Sequence, residues 1–401
     1  MNVTIEPSIA NGNVKAQPSK SVVHRLLICA ALANGESIVN NVAFSEDILA
    51  TLDCIRALGA TVNVTKADGF GAVQILGIGG TCEKQAVDLP CRESGSTMRF
   101  FMGIVLGLGI RARFFGSGRL LQRPFDVYEK ICKQQGICFL RNQDHILIDG
   151  KLKPSVFEIP GNISSQFVTG LLFALPLLDG ESRIVLLPPI ESRSYIDLTL
   201  DALKAFGITC TDLTVFGKQS YCGNTITAEG DYSNAAFLDA FNLLGGQVSV
   251  TGLKEDSRQG DRIYRQYFDA LQKEDATLDL SDCPDLAPVL FVLAALLHGG
   301  TFTGTARLAI KESDRGLVMC EELAKCGVPS RREENRIMIK KSELHAPAEP
   351  LCGHNDHRIV MSLSVLLTRL GGTITGAEAV QKSYPSFFED LKRLGILVSQ
   401  A

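Results

Sequence analysis

Six apolar, Ala/Leu-rich segments recur along the chain, each ending near a glycine, and this repeat limits the fold more than any other feature. They are VVHRLLICAALANG, TMRFFMGIVLGLG, QFVTGLLFALPLLDG, NAAFLDAFNLLGG, LAPVLFVLAALLHGG and RIVMSLSVLLTRLGG, starting near residues 22, 97, 166, 234, 286 and 358. Apolar side chains cover nearly the whole circumference of each, so the pattern predicts buried helices. The closing glycine is the residue expected just past a helix C-terminus. Short β-rich stretches such as ESIVNNV, GTFTGTA and GTITGAE follow most of them. A second, amphipathic helix type alternates with the first and ends on a leucine-glycine signature: IRALGATV, LKAFGITC, EELAKCGVP, LKRLGILV and, more weakly, KQQGICF. Each copy therefore predicts buried helix, strand, surface helix, strand, over roughly 67 residues.

A chain of 401 residues exceeds one ordinary core, and six copies suggest two α/β domains of three units each. The break falls near Thr225–Asp231, where AEGDYSNAA opens the fourth copy. The segment before Lys15 is expected to cross back to the second half. That gives one lobe over residues 18–228 and another over 1–17 plus 229–401, joined by two chain crossings.

Composition narrows the partners. Hydrophobic residues at 45% and charged residues at 21% are ordinary for a globular protein. A net charge of −4, with no Lys/Arg run, argues against nucleic acid. Apolar runs such as Leu286–Leu297 are too short for a bilayer, so no membrane partner is expected. None of the twelve cysteines forms C-x-x-C, and most lie in apolar runs, as Cys29, Cys54 and Cys210 do; reduced core thiols are expected. The opening MNVTIEPSIANG carries neither the basic nor the apolar part of a signal peptide, so a cytoplasmic location is expected.

The leaders of the six buried helices carry the chemistry: PSKSVVHR, ESGSTMR, NISSQF, GDYSNAA, DCPDLA and HNDHR. Capping accounts for the serines and aspartates, most plainly in GDYSNAA and DCPDLA. It does not account for Lys20, Arg25, Arg99 and Arg358, because a helix N-terminus repels cations unless an anion sits there. These four positions predict anion sites. Arg123 precedes Pro124 and is expected on an extended or turn segment rather than inside a helix. IKESDRG concentrates Lys311, Glu312, Asp314 and Arg315 after a strand, as either a solvated charged face or part of the same chemistry. His354 and His357 have the spacing of a metal pair but no third ligand nearby, so no metal is expected.

Taken in order, PSKSVVHR, ESGSTMR, SSQF, CPDLA, IKESDR, NDHR and QKSYP resemble the enolpyruvyl transferases, and among them the 3-phosphoshikimate 1-carboxyvinyltransferase family, over the whole chain. The resemblance implies an inside-out α/β barrel fold, six repeated α/β units in two pseudo-threefold domains closing over a cleft. It implies transfer of the enolpyruvyl group of phosphoenolpyruvate to the 5-hydroxyl of shikimate 3-phosphate, by addition and then elimination of phosphate, without a cofactor. It implies shikimate 3-phosphate contacts from Lys20, Ser21, Arg25, Ser164, Ser165, Gln166, Ser192, Tyr195, Asp285 and Lys311. For phosphoenolpyruvate it implies Lys20, Gly95, Arg123, Gln166, Arg315, Arg358 and Lys382. Asp285 would take or orient the hydroxyl proton, with a capping role for the LAPVLFV helix compatible with that, and Glu312 would deliver a proton to the methylene carbon. Lys20 would serve both substrates, His357 would be a supporting donor, and the enzyme would act as a monomer on these small molecules alone.

Four positions depart from the commoner family pattern: Pro18, Glu93, Phe100 and Ala309. Glu93 matters most, because a carboxylate beside phosphoenolpyruvate repels it unless paired. Gly95 leaves room there, which predicts sensitivity to the analogue glyphosate. The sister enzymes acting on UDP-N-acetylglucosamine would want asparagine after the early lysine and a loop cysteine, where this chain has Ser21 and Arg123. RNA 3′-phosphate cyclases share the repeat, but the acidic balance disfavours them. A non-catalytic relic fits poorly with intact Lys20, Asp285, Glu312 and Lys382.

Overall fold

The structure is a computed structural model that describes residues 1–66 and 70–400. It divides into two compact units. A central unit holds Pro18–Glu229, and a terminal unit holds Met1–Gln17 with Gly230–Ala401. Each has its own hydrophobic core.

In the central unit the helices are α1 (Lys20–Leu32), α2 (Glu46–Leu58), α3 (Gly95–Leu108), α4 (Asp126–Gln135), α5 (Ser165–Ala174) and α6 (Arg193–Ala205). In the terminal unit they are α7 (Tyr232–Leu243), α8 (Tyr264–Lys273), α9 (Ala287–Leu296), α10 (Arg315–Ala324), α11 (His357–Leu370) and α12 (Phe387–Arg393). The odd-numbered helices are the apolar segments of the repeat. Every residue of α9 from Ala287 to Ala295 is buried, as all-round apolarity demands. The even-numbered helices bury one face only. Five of them end on the glycine signature read from the sequence, with Gly59 and Gly136 in the left-handed conformation that glycine adopts without strain. The sixth, α8, has no such mark: it ends at Glu274 in extended backbone, so nothing in the sequence announced it.

Each copy is richer in strands than the sequence suggested. Ala86–Pro90 leads into α3 and pairs in parallel with Arg111–Phe115 after it, the crossover connection that parallel strands require. Beyond α4, His145–Asp149 adds antiparallel to Arg111–Phe115, and Cys138–Arg141 to His145–Asp149. Around α9 and α10 the order repeats, with Ala276–Asp279, Gly300–Thr303, Arg336–Ile339 and Ser330–Glu333. The hairpin strands were hidden because they bury little: TVNVT (Thr61–Thr65) is mostly exposed, and SRRE (Ser330–Glu333) is entirely polar. Among the described residues the strands form six small sheets and no closed barrel.

Both chain crossings are tied by strands. Thr225–Thr227 comes last in the central unit yet lies parallel to Glu36–Val42, supplying the lead strand that α1 lacks. Asn11–Lys15 does the same for α7 by pairing with Gln247–Thr251, and Asn2–Ile5 is held between Gly372–Thr375 and Val398–Gln400.

The packing of α3 on α5 depends on two glycines. A Cβ on Gly103 would sit 2.1 Å from the Gly170 carbonyl oxygen, and one on Gly170 would sit 2.1 Å from the Tyr128 hydroxyl. The backbones therefore touch, and both helix N-termini are fixed to one another. Gly103→Ala is expected to lower the unfolding midpoint in urea, by about 1–3 kcal/mol of stability for an overpacked core. An unchanged midpoint would show that the helices can separate freely.

Candidate functional site

Cationic and hydroxyl side chains gather at the N-termini of the buried helices, and the two units present different arrangements. In the central unit Lys20 opens α1, and its Nζ meets Asp47 Oδ2 at 2.7 Å. One turn on, Arg25 is 2% exposed. Its Nε donates to Thr199 Oγ1 at 2.8 Å, Nη1 to the Ser21 carbonyl at 2.6 Å, and Nη2 to the Tyr195 carbonyl at 2.9 Å and Thr169 Oγ1 at 3.3 Å. All four acceptors are neutral. Burial accordingly pulls its pKa down to about 10. A buried guanidinium among neutral acceptors is a charge still to be balanced, which is what an anion-binding group should be.

Ser164 caps α5 by accepting from the Gln166 amide at 3.3 Å, and Ser165 begins the helix. Gln166 Oε1 accepts from Arg99 Nη1 at 2.7 Å, and its Nε2 donates to Ser96 Oγ at 2.8 Å. Arg123 is in extended backbone, as expected before proline, and lies so close to Gly95 that a Cβ there would be 2.5 Å from its Nη1. Gly95, Arg99, Arg123 and Gln166 thus form one cluster. Ser192, with φ of 54°, precedes α6, and Tyr195 lends its carbonyl to Arg25.

Arg99 is held on several sides. Its guanidinium is stacked 5.2 Å from the ring centres of both Phe125 and Phe167, and it donates to the Pro124 carbonyl and to Gln166. It orients a neighbouring amide. Glu93 lies against Gly118, whose Cβ would be 2.2 Å from Glu93 Oε1. Phe100 fills core space, edge-on to Phe173.

The terminal unit centres on Arg315, which is 1% exposed. Its Nε donates to Asp356 Oδ2 at 2.8 Å, Nη1 to Asp285 Oδ1 at 2.7 Å, and Nη2 to Glu312 Oε2 at 2.7 Å and Asp356 Oδ1 at 3.2 Å. Burial works against this charge, and the carboxylates of Asp356, Glu312 and Asp285 outweigh it, holding the group well above its ordinary pKa. Asp285 also faces Lys311 Nζ at 3.2 Å and Arg358 Nη2 at 3.1 Å. Burial pulls the Lys311 pKa down, against the pull of Asp285. The capping role for Asp285 does not hold: it lies in a single 3-10 turn, Pro284–Leu286, ahead of α9, and its oxygens go to these cations. Asp356 is the cap of α11, accepting from the Arg358 amide at 3.0 Å.

Arg358 is 4% exposed, and its Nε and Nη1 have no hydrogen-bond partner among the described residues. Lys382 Nζ donates to the Asn355 carbonyl at 2.7 Å. His357 is buried beside Asp356, and His354 turns to Glu322 at 2.8 Å, so the two histidines have separate partners. Sequence reasoning missed Asp47, Asp356 and Asp261. Asp356 sat inside the NDHR motif, where an acidic residue before a helix reads as a cap and nothing more. Asp261, in QGDR, left no signal.

Asp261 is buried and accepts from Ser233 Oγ. Burial and the nearby Asp285 push its pKa up to about 7, while Arg358 and Ser233 pull the other way. The sign follows: between the unfolded value and about 7 the folded state holds the extra proton, so stability falls as pH rises through that window. Asp261→Asn keeps the acceptor and removes the titration. It is expected to match the parent at pH 4 and to exceed it at pH 8 in urea midpoint. Parallel pH curves for the two proteins would exclude this carboxyl as a buried proton holder.

Comparisons with known proteins agree on one family. Residues 6–391 match the family described as EPSP synthase (3-phosphoshikimate 1-carboxyvinyltransferase). A 3-phosphoshikimate 1-carboxyvinyltransferase of Clostridioides difficile (strain 630) is 38% identical, covering 98% of this chain and 97% of its own length. One from Clostridium kluyveri is 39% identical over the same shares. A solved EPSP synthase from Acinetobacter baumannii superposes over 100% of both chains with a TM-score of 0.76 at 25% identity. Among the described residues no helix is long and apolar enough to cross a membrane.

Proposed function

The chain belongs to the EPSP synthase family, and we propose on that premise that it transfers the enolpyruvyl group of phosphoenolpyruvate to the 5-hydroxyl of shikimate 3-phosphate, releasing phosphate. The step lies on the shikimate pathway to chorismate and the aromatic amino acids. The observation that carries the reading is the Arg315 cluster, in which two carboxyls, Asp285 and Glu312, hang from one buried guanidinium.

Two carboxyls held by the same cation suit a reaction that needs one proton removed and another delivered. Asp285 is assigned the 5-hydroxyl proton, and Glu312 delivery to the methylene carbon. Attack of the hydroxyl oxygen on C2 of phosphoenolpyruvate, with a proton added at C3, gives a tetrahedral adduct. Loss of a C3 proton and of phosphate then restores the double bond. Lys311 Nζ lies 3.2 Å from Asp285 Oδ1 and favours its ionised form.

In the central unit, Lys20, Ser21, Arg25, Ser164, Ser165, Gln166, Ser192 and Tyr195 are assigned to shikimate 3-phosphate. Arg25 supplies the unbalanced charge for its phosphate, and the capped start of α5 supplies hydroxyls and amide groups. Phosphoenolpyruvate is assigned Lys20, Gly95, Arg123 and Gln166 there, with Arg315, Arg358 and Lys382 from the terminal unit. The two unsatisfied donors of Arg358 fit a carboxylate or phosphate oxygen. Arg315 already serves three carboxylates, so its part is chiefly to hold Asp285 and Glu312 in place. All twelve cysteines are free thiols, which suits a reducing cytoplasm.

Phosphate release from phosphoenolpyruvate is expected with shikimate 3-phosphate and not with UDP-N-acetylglucosamine; release with the sugar nucleotide alone would overturn the reading. Asp285→Ala and Glu312→Ala are each expected to lower kcat by about 100-fold or more. Shikimate 3-phosphate affinity should change little in Glu312→Ala. Near-parental turnover in either variant would remove that residue from its role.

A further inference from the structure

Beneath the starts of α1, α2 and α3 runs a buried polar chain that the assigned roles do not use. His24 Nδ1 lies 2.7 Å from Thr51 Oγ1, Thr51 Oγ1 lies 2.8 Å from Thr97 Oγ1, and Thr97 Oγ1 donates to Ser94 Oγ at 2.8 Å. Ser94 is the cap of α3 and accepts from the Thr97 amide at 3.2 Å. His24 is 1% exposed, Thr51 and Thr97 are 0%, and Ser94 is 1%. Water is therefore no substitute for any member.

Hydrogen counting gives the chain a direction. A hydroxyl has one proton, and that of Thr97 points at Ser94 Oγ or, at 3.4 Å, the Asp47 carbonyl. Thr97 thus accepts from Thr51, and Thr51, its proton spent, accepts from His24. The imidazole must be neutral with its hydrogen on Nδ1. Nε2, buried with no hydrogen-bond partner among the described residues and edge-on to Phe100, is then a bare lone pair rather than a stranded N–H. Burial, then Lys20 and Arg25, keep the ring uncharged.

The chain ends at the turn that carries Gly95 and Ser96. Ser96 takes the amide proton of Gln166, and Gly95 lies against Arg123. We propose that His24 is a positioning residue for the phosphoenolpyruvate side of the site, fixing the first turn of α3 through Thr51, Thr97 and Ser94. This rests on the function proposed above. Arg25 stands outside the chain, because its own anchors are Thr199, Thr169 and the Tyr195 and Ser21 carbonyls. Lys20 is likewise held by Asp47. Gln166, assigned to both substrates, is also held by Arg99, so loss of the imidazole donor acts mainly through Gly95 and Arg123, on phosphoenolpyruvate, and leaves shikimate 3-phosphate nearly unaffected.

The test is steady-state kinetics of His24→Phe, His24→Asn, Thr97→Val and the His24→Phe/Thr97→Val pair, with thermal unfolding of each. Parent turnover with both substrates checks the underlying reaction separately. His24→Phe is expected to raise KM for phosphoenolpyruvate by about tenfold, the order for one buried hydrogen bond, with KM for shikimate 3-phosphate within about twofold. Asparagine can place an amide N–H where Nδ1 was, so His24→Asn is expected to recover most of the loss. The double variant should be no worse than the worse single one, as members of one chain require. Equal rises in both KM values, no rescue by asparagine, or additive effects in a folded active parent would each overturn the proposal.

Discussion

The terminal unit is organised around the pairing of Arg315 with Asp356, Asp285 and Glu312. A guanidinium with 1% exposure is costly unless carboxylates meet it, and removing one partner of such a set costs about 3–5 kcal/mol. The planar fork imposes order on what surrounds it. Asp356 occupies Nε and shares Nη2, and the same carboxylate caps α11, so the start of that helix is fixed to the start of α10. Asp285 and Glu312 take the outer nitrogens and are thereby held as a pair. Lys311 and Arg358 bring the local count to three cations for these three carboxylates, and Asp261 is nearby with its raised pKa.

The central unit solves the opposite problem. Arg25 is as buried as Arg315, yet its acceptors are hydroxyls and carbonyls from α1, α5 and α6. Such a group is held in position without being neutralised. One unit stores carboxyls on a cation and the other stores a cation on dipoles. The acid–base work and phosphate binding proposed above rest on that contrast.

The repeat was legible because buried helices that are apolar all round leave a long, periodic mark. Their starts were legible too, since Ser94, Ser164 and Asp231 are ordinary caps. The edge hairpins and α8 were not, because exposed strands and a helix without a terminal glycine leave no pattern that competes with turn sequence. Side-chain duty was the least legible. Arg25 and Arg99 both sit within the opening turns of buried helices and both lie over rings, Arg25 over Phe100 and Arg99 over Phe125 and Phe167. Yet Arg25 is surrounded by hydroxyls and carbonyls, while Arg99 holds the side-chain amide of Gln166. Only tertiary packing decides which polar groups such a cation meets. The His24 chain was hidden for the same reason, since its members come from three helices and none is unusual alone.

In the proposed reaction fixed charge carries addition followed by elimination, with a proton placed on the methylene carbon and another taken away. Product formed in deuterium oxide tests this most directly. Mass spectrometry of the enolpyruvyl product should find deuterium on its methylene carbon, because the adduct passes through a methyl group made with a solvent-derived deuteron. A product free of deuterium at that carbon would rule out addition and elimination, since the double bond would then have survived the transfer intact.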